Sequence, residues 1–86
     1  MKIFVFDTYV KARDSHTMHF DVFLPENDIE KAIHAAKEWL ASIGQHDTVV
    51  TSQECRFCHS EESPAYLIDQ ITKQGYFIYQ MEGCPG

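Results

Sequence analysis

The residues best equipped for chemistry lie in the last third of the chain. Cys55 and Cys58 bracket two residues, His59 follows at once, and Cys84 stands near the end. A CxxC spacing lets two thiolates turn toward one ion, and Cys84 with His59 would complete a tetrahedral set of donors suited to zinc. Other readings compete. A CxxC after a strand and ahead of a helix is also the arrangement of a redox dithiol, in which the helix N-terminus stabilises a thiolate. CxxCH is the attachment motif of covalent haem. Cysteine is also a small, readily buried residue, so two thiols packed beneath a helix require no function at all.

The surroundings weigh on each reading differently. Zinc lacks a second close cysteine pair, since Cys84 is followed by Pro85 and Gly86, and His59 reaches an ion held by the adjacent Cys58 only awkwardly. Glu54, Glu61 and Glu62 crowd the motif with negative charge, opposed by Arg56 and a protonated His59, which works against ionising a thiol. Haem attachment needs export and enough chain to wrap a porphyrin, and the sequence signals neither, so no haem is expected. The expectation is a non-enzymatic binding or regulatory module with a candidate zinc site at Cys55, Cys58, His59 and Cys84. The alternatives are a thiol oxidoreductase or redox sensor using the CxxC pair, and inert buried thiols. No Gly-rich phosphate loop, GxSxG elbow or HExxH is present, so neither a nucleotide cofactor nor a familiar enzyme class is signalled.

A second polar group sits in the first third. Asp7 interrupts the apolar run KIFVFDTYV, and His16, His19 and Asp21 lie on the following strand, so a carboxylate and imidazoles can gather on one sheet. Acid–base work would need such a pair in a cleft. The simpler expectation is that Asp7 bonds backbone near a strand bend, while His19 and Asp21 share a wet face with Thr17.

The elements that must position these residues follow from periodicity. Residues 2 to 10 and 15 to 24 are rich in β-branched and aromatic residues and flank the polar KARD, which predicts a β-hairpin. In the second run His16, Met18, Phe20, Val22 and Leu24 alternate with Thr17, His19, Asp21 and Phe23, predicting one buried and one wetter face. After Pro25, Asn27 or Asp28 can cap a helix. Its apolar stripe is Ile29, Ala32, Ile33, Ala36, Leu40 and Ile43, and Gly44 closes it. Residues 47 to 53 predict a third strand, with CxxCH as the loop after it. Ser63 and Pro64 predict the start of a second helix carrying Ala65, Ile68 and Ile71, Gly75 its end, and residues 76 to 81 a last strand.

The order ββαβαβ predicts a two-layer α+β domain over residues 1–86: a four-stranded mixed sheet with both helices on one face. A helical crossover would make the last two strands parallel, bringing the chain after each to the same edge and Cys84 toward the CxxC.

A chain of 86 residues with 44% hydrophobic and 13% aromatic content folds as an ordinary globular domain. Thirteen acidic against seven basic residues give a formal charge of -6, which repels phosphate backbones and anionic lipid, so neither nucleic acid nor a membrane is expected as a partner. Lys11 and Arg13 read as a solvated turn. Asp7 breaks the N-terminal apolar run before it reaches signal or membrane length, so a cytoplasmic location is expected, where thiols or metal ligands are favoured over structural disulfides. Phe23 and tyrosines on the wetter sheet face suit pairing with a second copy or a protein partner.

Four strings, DTYVKARDSHTMHFDVFLPE, EWLASIG, ECRFCHSEE and QGYFIYQMEGC, together resemble the bacterial DUF2024 family along the whole chain. The resemblance implies a single domain of four strands and two helices. It carries no established function and no catalytic or binding residues.

Overall fold

In the computed structural model, which describes residues 2–12, 14–45 and 48–81, the chain forms β1 (Lys2–Lys11), β2 (Thr17–Leu24), α1 (Ile29–Ser42), β3 (Cys55–Glu62), α2 (Ala65–Gln74) and β4 (Phe77–Gln80). The α+β class, the four strands, the two helices and the order ββαβαβ are as the sequence predicts. The sheet is ordered β3-β1-β2-β4 and every neighbouring pair is antiparallel, so it is not mixed.

The hairpin sets the frame. β1 and β2 pair from Phe4 opposite Leu24 to Lys11 opposite Thr17. The turn between them is closed by bonds from the Ala12 N–H to the His16 carbonyl and from the Ser15 N–H to the Ala12 carbonyl. Ser15 takes a left-handed φ of 72°, the kind of position that ends a short hairpin loop. β3 then adds to the free side of β1 and β4 to the free side of β2.

β3 and β4 therefore lie at opposite edges and run in opposite directions. The crossover rule applies to strands laid parallel in one sheet, and here α2 carries the chain right across the hairpin instead. Cys55 sits opposite Thr8, Thr8 opposite Phe20 and Phe20 opposite Gln80. The end of β4 is thus level with the start of β3, with two strands between them, and the shared edge expected for the chain after each strand is not formed.

The third strand also moves. Residues 48–51 are not strand, Val49 is 68% exposed, and Val50 turns into the core. A tight turn follows, in which the Glu54 carboxylate accepts from the Thr51 N–H at 2.8 Å and its hydroxyl at 2.5 Å. CRFCHSEE forms the strand itself. Its inward residues give β1 something to pack on: Cys55 lies against Thr8, and the Phe57 ring sits 5.7 Å from that of Phe6. Its charged residues face water, as an edge strand permits.

The helices lie on opposite faces of the sheet, not on one. Ala32, Ala35, Ala36 and Leu40 of α1 pack on Phe6, Val10, Met18, Phe20, Val22 and Leu24. Leu67 and Ile71 of α2 pack on Ile3, Val5 and Phe23, whose side chains alternate to the other side. The reason is legible in KIFVF. A central strand that is apolar at successive positions offers both faces for burial. α1 is capped by Asp28, which accepts from the Glu30 and Lys31 N–H groups, and Gly44 follows it with φ 82°. Pro64 stands at the N-cap of α2 without a side-chain bond, and Gly75 ends that helix in the left-handed region at φ 87°.

Candidate functional site

The second sheet face divides in two. α2 covers the end built from Ile3, Val5 and Phe23, and the remaining length carries polar residues. Reading across the strands, Arg56 sits opposite Asp7, Asp7 opposite Asp21, and Asp21 opposite Tyr79. In the adjoining row Tyr9 sits opposite His19. A period of two therefore gathers on one surface residues that the sequence scatters over more than seventy positions.

Asp7, His19 and Asp21 converge. The His19 Nε2 lies 3.9 Å from Oδ1 of Asp7 and 3.9 Å from Oδ1 of Asp21. Among the described residues, these three form a group whose donor atoms all lie within 4.8 Å of one another. Asp21 is 7% exposed, and its buried Oδ1 has no hydrogen-bond partner among the described residues. Tyr9 stacks on the His19 ring at 3.9 Å between centroids and 12° between planes, and Tyr79 stacks on Phe23. Both tyrosines are half exposed and wall the polar group on either side.

The electrostatics of this group are unfavourable as they stand. Burial lifts the Asp21 carboxyl from its ordinary value of 3.8 to about 7, helped by hydrogen bonding with Asp7, by the Asp7 charge and by Glu61. Two carboxylates opposite one another in an antiparallel pair repel unless a proton or a cation comes between them. An imidazole nitrogen and two carboxylate oxygens are a donor set that borderline divalent metals accept, at bond lengths of about 2.0–2.2 Å. Donors around such an ion stand about 3.4 Å apart, so each of the two 3.9 Å gaps to His19 closes with a shift of roughly half an ångström.

The expected wet face shared by His19, Asp21 and Thr17 does not hold for Asp21, which is buried. Asp7 and Asp21 are in register, which depends on where the hairpin turns. The signal available was the polar interruption of an apolar strand at Asp7 with His19 and Asp21 at alternate positions of the next.

The predicted cysteine set is not drawn together. Cys55 is fully buried on the α1 face, where the Thr8 hydroxyl donates to its sulfur at 3.4 Å, and desolvation pushes its thiol up. Cys58 is exposed. It lies at the irregularity in the β1–β3 pairing, where Phe6 pairs with Phe57 but Val5 pairs with His59. Cys58 is the extra residue, and it stands on the Asp7 side of the sheet, where burial and the Asp7 charge push its thiol up. Three residues of extended chain span about 10 Å, whereas a disulfide joins Cα atoms at most about 7 Å apart. The two cysteines therefore serve different faces. His59 sits with Nδ1 3.2 Å from the Cys58 sulfur and Nε2 3.5 Å from Glu61. Cys84 lies outside the described residues.

Comparison with known proteins places this geometry in a family. The sequence model of DUF2024, described as a domain of unknown function, matches residues 1–81. The chain belongs to the DUF2024 family. Among solved structures it is similar to the NMR structure of protein NE1680 from Nitrosomonas europaea, a structural genomics target, at 60% identity and a TM-score of 0.90. That likeness covers 99% of this chain and 100% of the other. No curated protein matches the chain. Among the described residues no helix is long and apolar enough to cross a membrane.

Proposed function

We propose that this DUF2024 protein is a small binding module that holds a divalent metal cation on its open sheet face, with Asp7, His19 and Asp21 as ligands. The observation that carries the reading is the buried Asp21 Oδ1, without a hydrogen-bond partner among the described residues and 3.9 Å from the imidazole nitrogen. A buried carboxylate oxygen left without a partner costs free energy, and a cation removes that cost while relieving the repulsion with Asp7. His19 would bind through Nε2, keeping its proton on Nδ1.

This keeps the metal-binding character expected from the cysteines but moves it from the CxxC edge to the centre of the sheet. A CxxC redox cycle draws no support from two thiols on opposite faces.

The test is isothermal titration of metal-stripped protein with Zn²⁺, Mn²⁺ and Mg²⁺, run beside Asp7→Asn, His19→Ala and Asp21→Asn. The reading expects a single ion per chain for the wild type and loss of binding in all three variants with the fold retained by circular dichroism. Equal binding in the wild type and in Asp21→Asn would overturn it.

A further inference from the structure

The two edges of the sheet are built differently. β3 exposes Arg56, Glu61 and Glu62, and its pairing slips between Val5 and Phe6. Charges and bulges are the means by which a sheet edge is kept from pairing with another chain. β4 has neither. Its run FIYQ and the following Met81 hold no charge and no proline, and Tyr79, Gln80 and Met81 are exposed. Among the described residues no strand pairs with its outer side.

The ladder fixes which backbone groups that outer side offers. The Met81 N–H donates to the His19 carbonyl at 3.0 Å, and β4 holds the same register with Tyr79 opposite Asp21 and Phe77 opposite Phe23. Hydrogen-bonded and non-bonded pairs alternate along an antiparallel ladder. Phe77, Tyr79 and Met81 therefore turn their backbone groups toward β2, and Ile78 and Gln80 turn theirs outward.

We propose that β4 pairs with β4 of a second copy, antiparallel about a two-fold axis at Tyr79, so that two four-stranded sheets become one. In this register the outward N–H and carbonyl of Ile78 exchange bonds with those of Gln80 in the second copy, and Gln80 does the same with Ile78, so the exposed backbone groups satisfy one another reciprocally. Tyr79 meets its own counterpart as a non-hydrogen-bonded pair, the kind in which side chains lie closest, and two half-exposed rings cover each other. Charge selects the same contact. Two chains of formal charge -6 repel, and the uncharged β4 is the edge at which they approach at least cost. The two-fold uses both copies of that edge, so assembly closes at the dimer. A strand of four residues makes a small contact, so dimer and monomer exchange. The pairing needs no cation, and it runs through the strand edge, since Phe23 on the sheet face lies under α2.

Sedimentation velocity of the metal-stripped full chain, over a series reaching millimolar concentration, tests the pairing. The mass is expected to rise from one chain's 9.9 kDa to twice that and no further, and to do so at lower concentration in high salt, which screens the repulsion between the chains. Gln80→Pro removes an N–H that bonds nothing in β2, so it should abolish the dimer and keep the fold by circular dichroism. Gln80→Lys, which sets a charge on the edge without altering the backbone, should also give monomer. Glu62→Gln on β3 should leave the dimer in place. Amide exchange read by NMR locates the contact, since the Ile78 and Gln80 N–H groups should exchange more slowly in concentrated than in dilute wild-type protein. A wild type that stays monomeric, with those amides indifferent to concentration, would overturn the pairing and leave the edge to a different chain. A dimer that survives both Gln80 variants, one lost in Glu62→Gln, or growth past the dimer would overturn it equally.

Discussion

Asp7 and Asp21 stand directly opposite each other across β1 and β2, and the Nε2 of His19 lies 3.9 Å from a carboxylate oxygen of each. Cross-strand neighbours in an antiparallel pair are close enough that two like charges destabilise the ladder. The protein nevertheless builds this pair into the centre of its sheet, with Asp21 nearly buried. Three consequences of that placement are open to measurement, along with one that concerns the buried cysteine.

The first is a pH dependence with an unusual sign. Asp21 has a raised carboxyl, about 7 against an ordinary 3.8, because burial and Asp7 disfavour its charged form. An acid whose folded value is raised contributes stability that is complete below the unfolded value and is lost as pH rises through the folded one. Metal-free protein should therefore lose stability between about pH 4 and pH 8, by an amount on the order of 2–4 kcal/mol from this group. Asp21→Asn removes the titration, so urea unfolding of the two proteins at pH 5 and pH 8 isolates it. The variant should be the more stable of the two at pH 8. A wild type whose excess over the variant is the same at both pH values would contradict the prediction.

The second concerns ligand linkage. A cation that binds the folded chain and not the unfolded one stabilises it by about 2.7 kcal/mol at a hundredfold excess over its dissociation constant. Zn²⁺ at pH 8 should raise the melting temperature of the wild type and offset the loss caused by ionised Asp21. It should leave Asp7→Asn and His19→Ala unmoved. Differential scanning fluorimetry with and without chelator reads the difference directly.

How much of this was legible in the sequence depends on what each element relies on. α1 is legible nearly to its ends because Asp28, the apolar stripe and Gly44 are local signals that tertiary packing does not override. Along β2, Met18, Phe20, Val22 and Leu24 face the core as their alternation predicts, but the face expected to be wetter buries Asp21 and, under α2, Phe23. β3 departs further. Val49 and Val50 carry strand propensity, yet a turn held by Glu54 ends that segment, and the polar CRFCHSEE became the strand because it fills the edge beside β1. A CxxCH loop would let Cys55 and Cys58 converge, whereas as residues of β3 they separate to opposite faces. The register that sets Asp7 against Asp21 is a long-range fact, and no local pattern states it.

The third prediction tests the separation of the cysteines. Cys55 is fully buried beside Thr8 with its thiol pushed up, and Cys58 is exposed. In native, metal-free protein a thiol reagent should modify Cys58 in Cys55→Ser and leave Cys55 untouched in Cys58→Ser, as peptide mass mapping would show. Mild oxidant should not join the two. Cys55→Ala should cost about 1–2 kcal/mol through the lost packing, the Thr8 hydroxyl keeping the Phe6 carbonyl as acceptor. A Cys55–Cys58 disulfide in folded protein would refute the strand geometry.

The last concerns Tyr9, which the sequence marks only as an aromatic in a strand. Its ring lies 3.9 Å from the His19 ring and 12° from parallel, while half of its own surface faces water. An exposed tyrosine is a weak contributor to a core, but a stacked ring fixes the plane in which the imidazole can turn, and such pairs contribute about 0.5–1.5 kcal/mol. Holding a ligand in its binding orientation before the ion arrives reduces the ordering cost of binding. Tyr9→Ala should therefore weaken cation binding several-fold while leaving stoichiometry unchanged, and Tyr9→Phe, which keeps the stack without the hydroxyl, should bind as the wild type does. Calorimetry on the pair decides it: equal weakening in both variants would assign the effect to the hydroxyl, and no weakening in Tyr9→Ala would leave the stack without a role at the site.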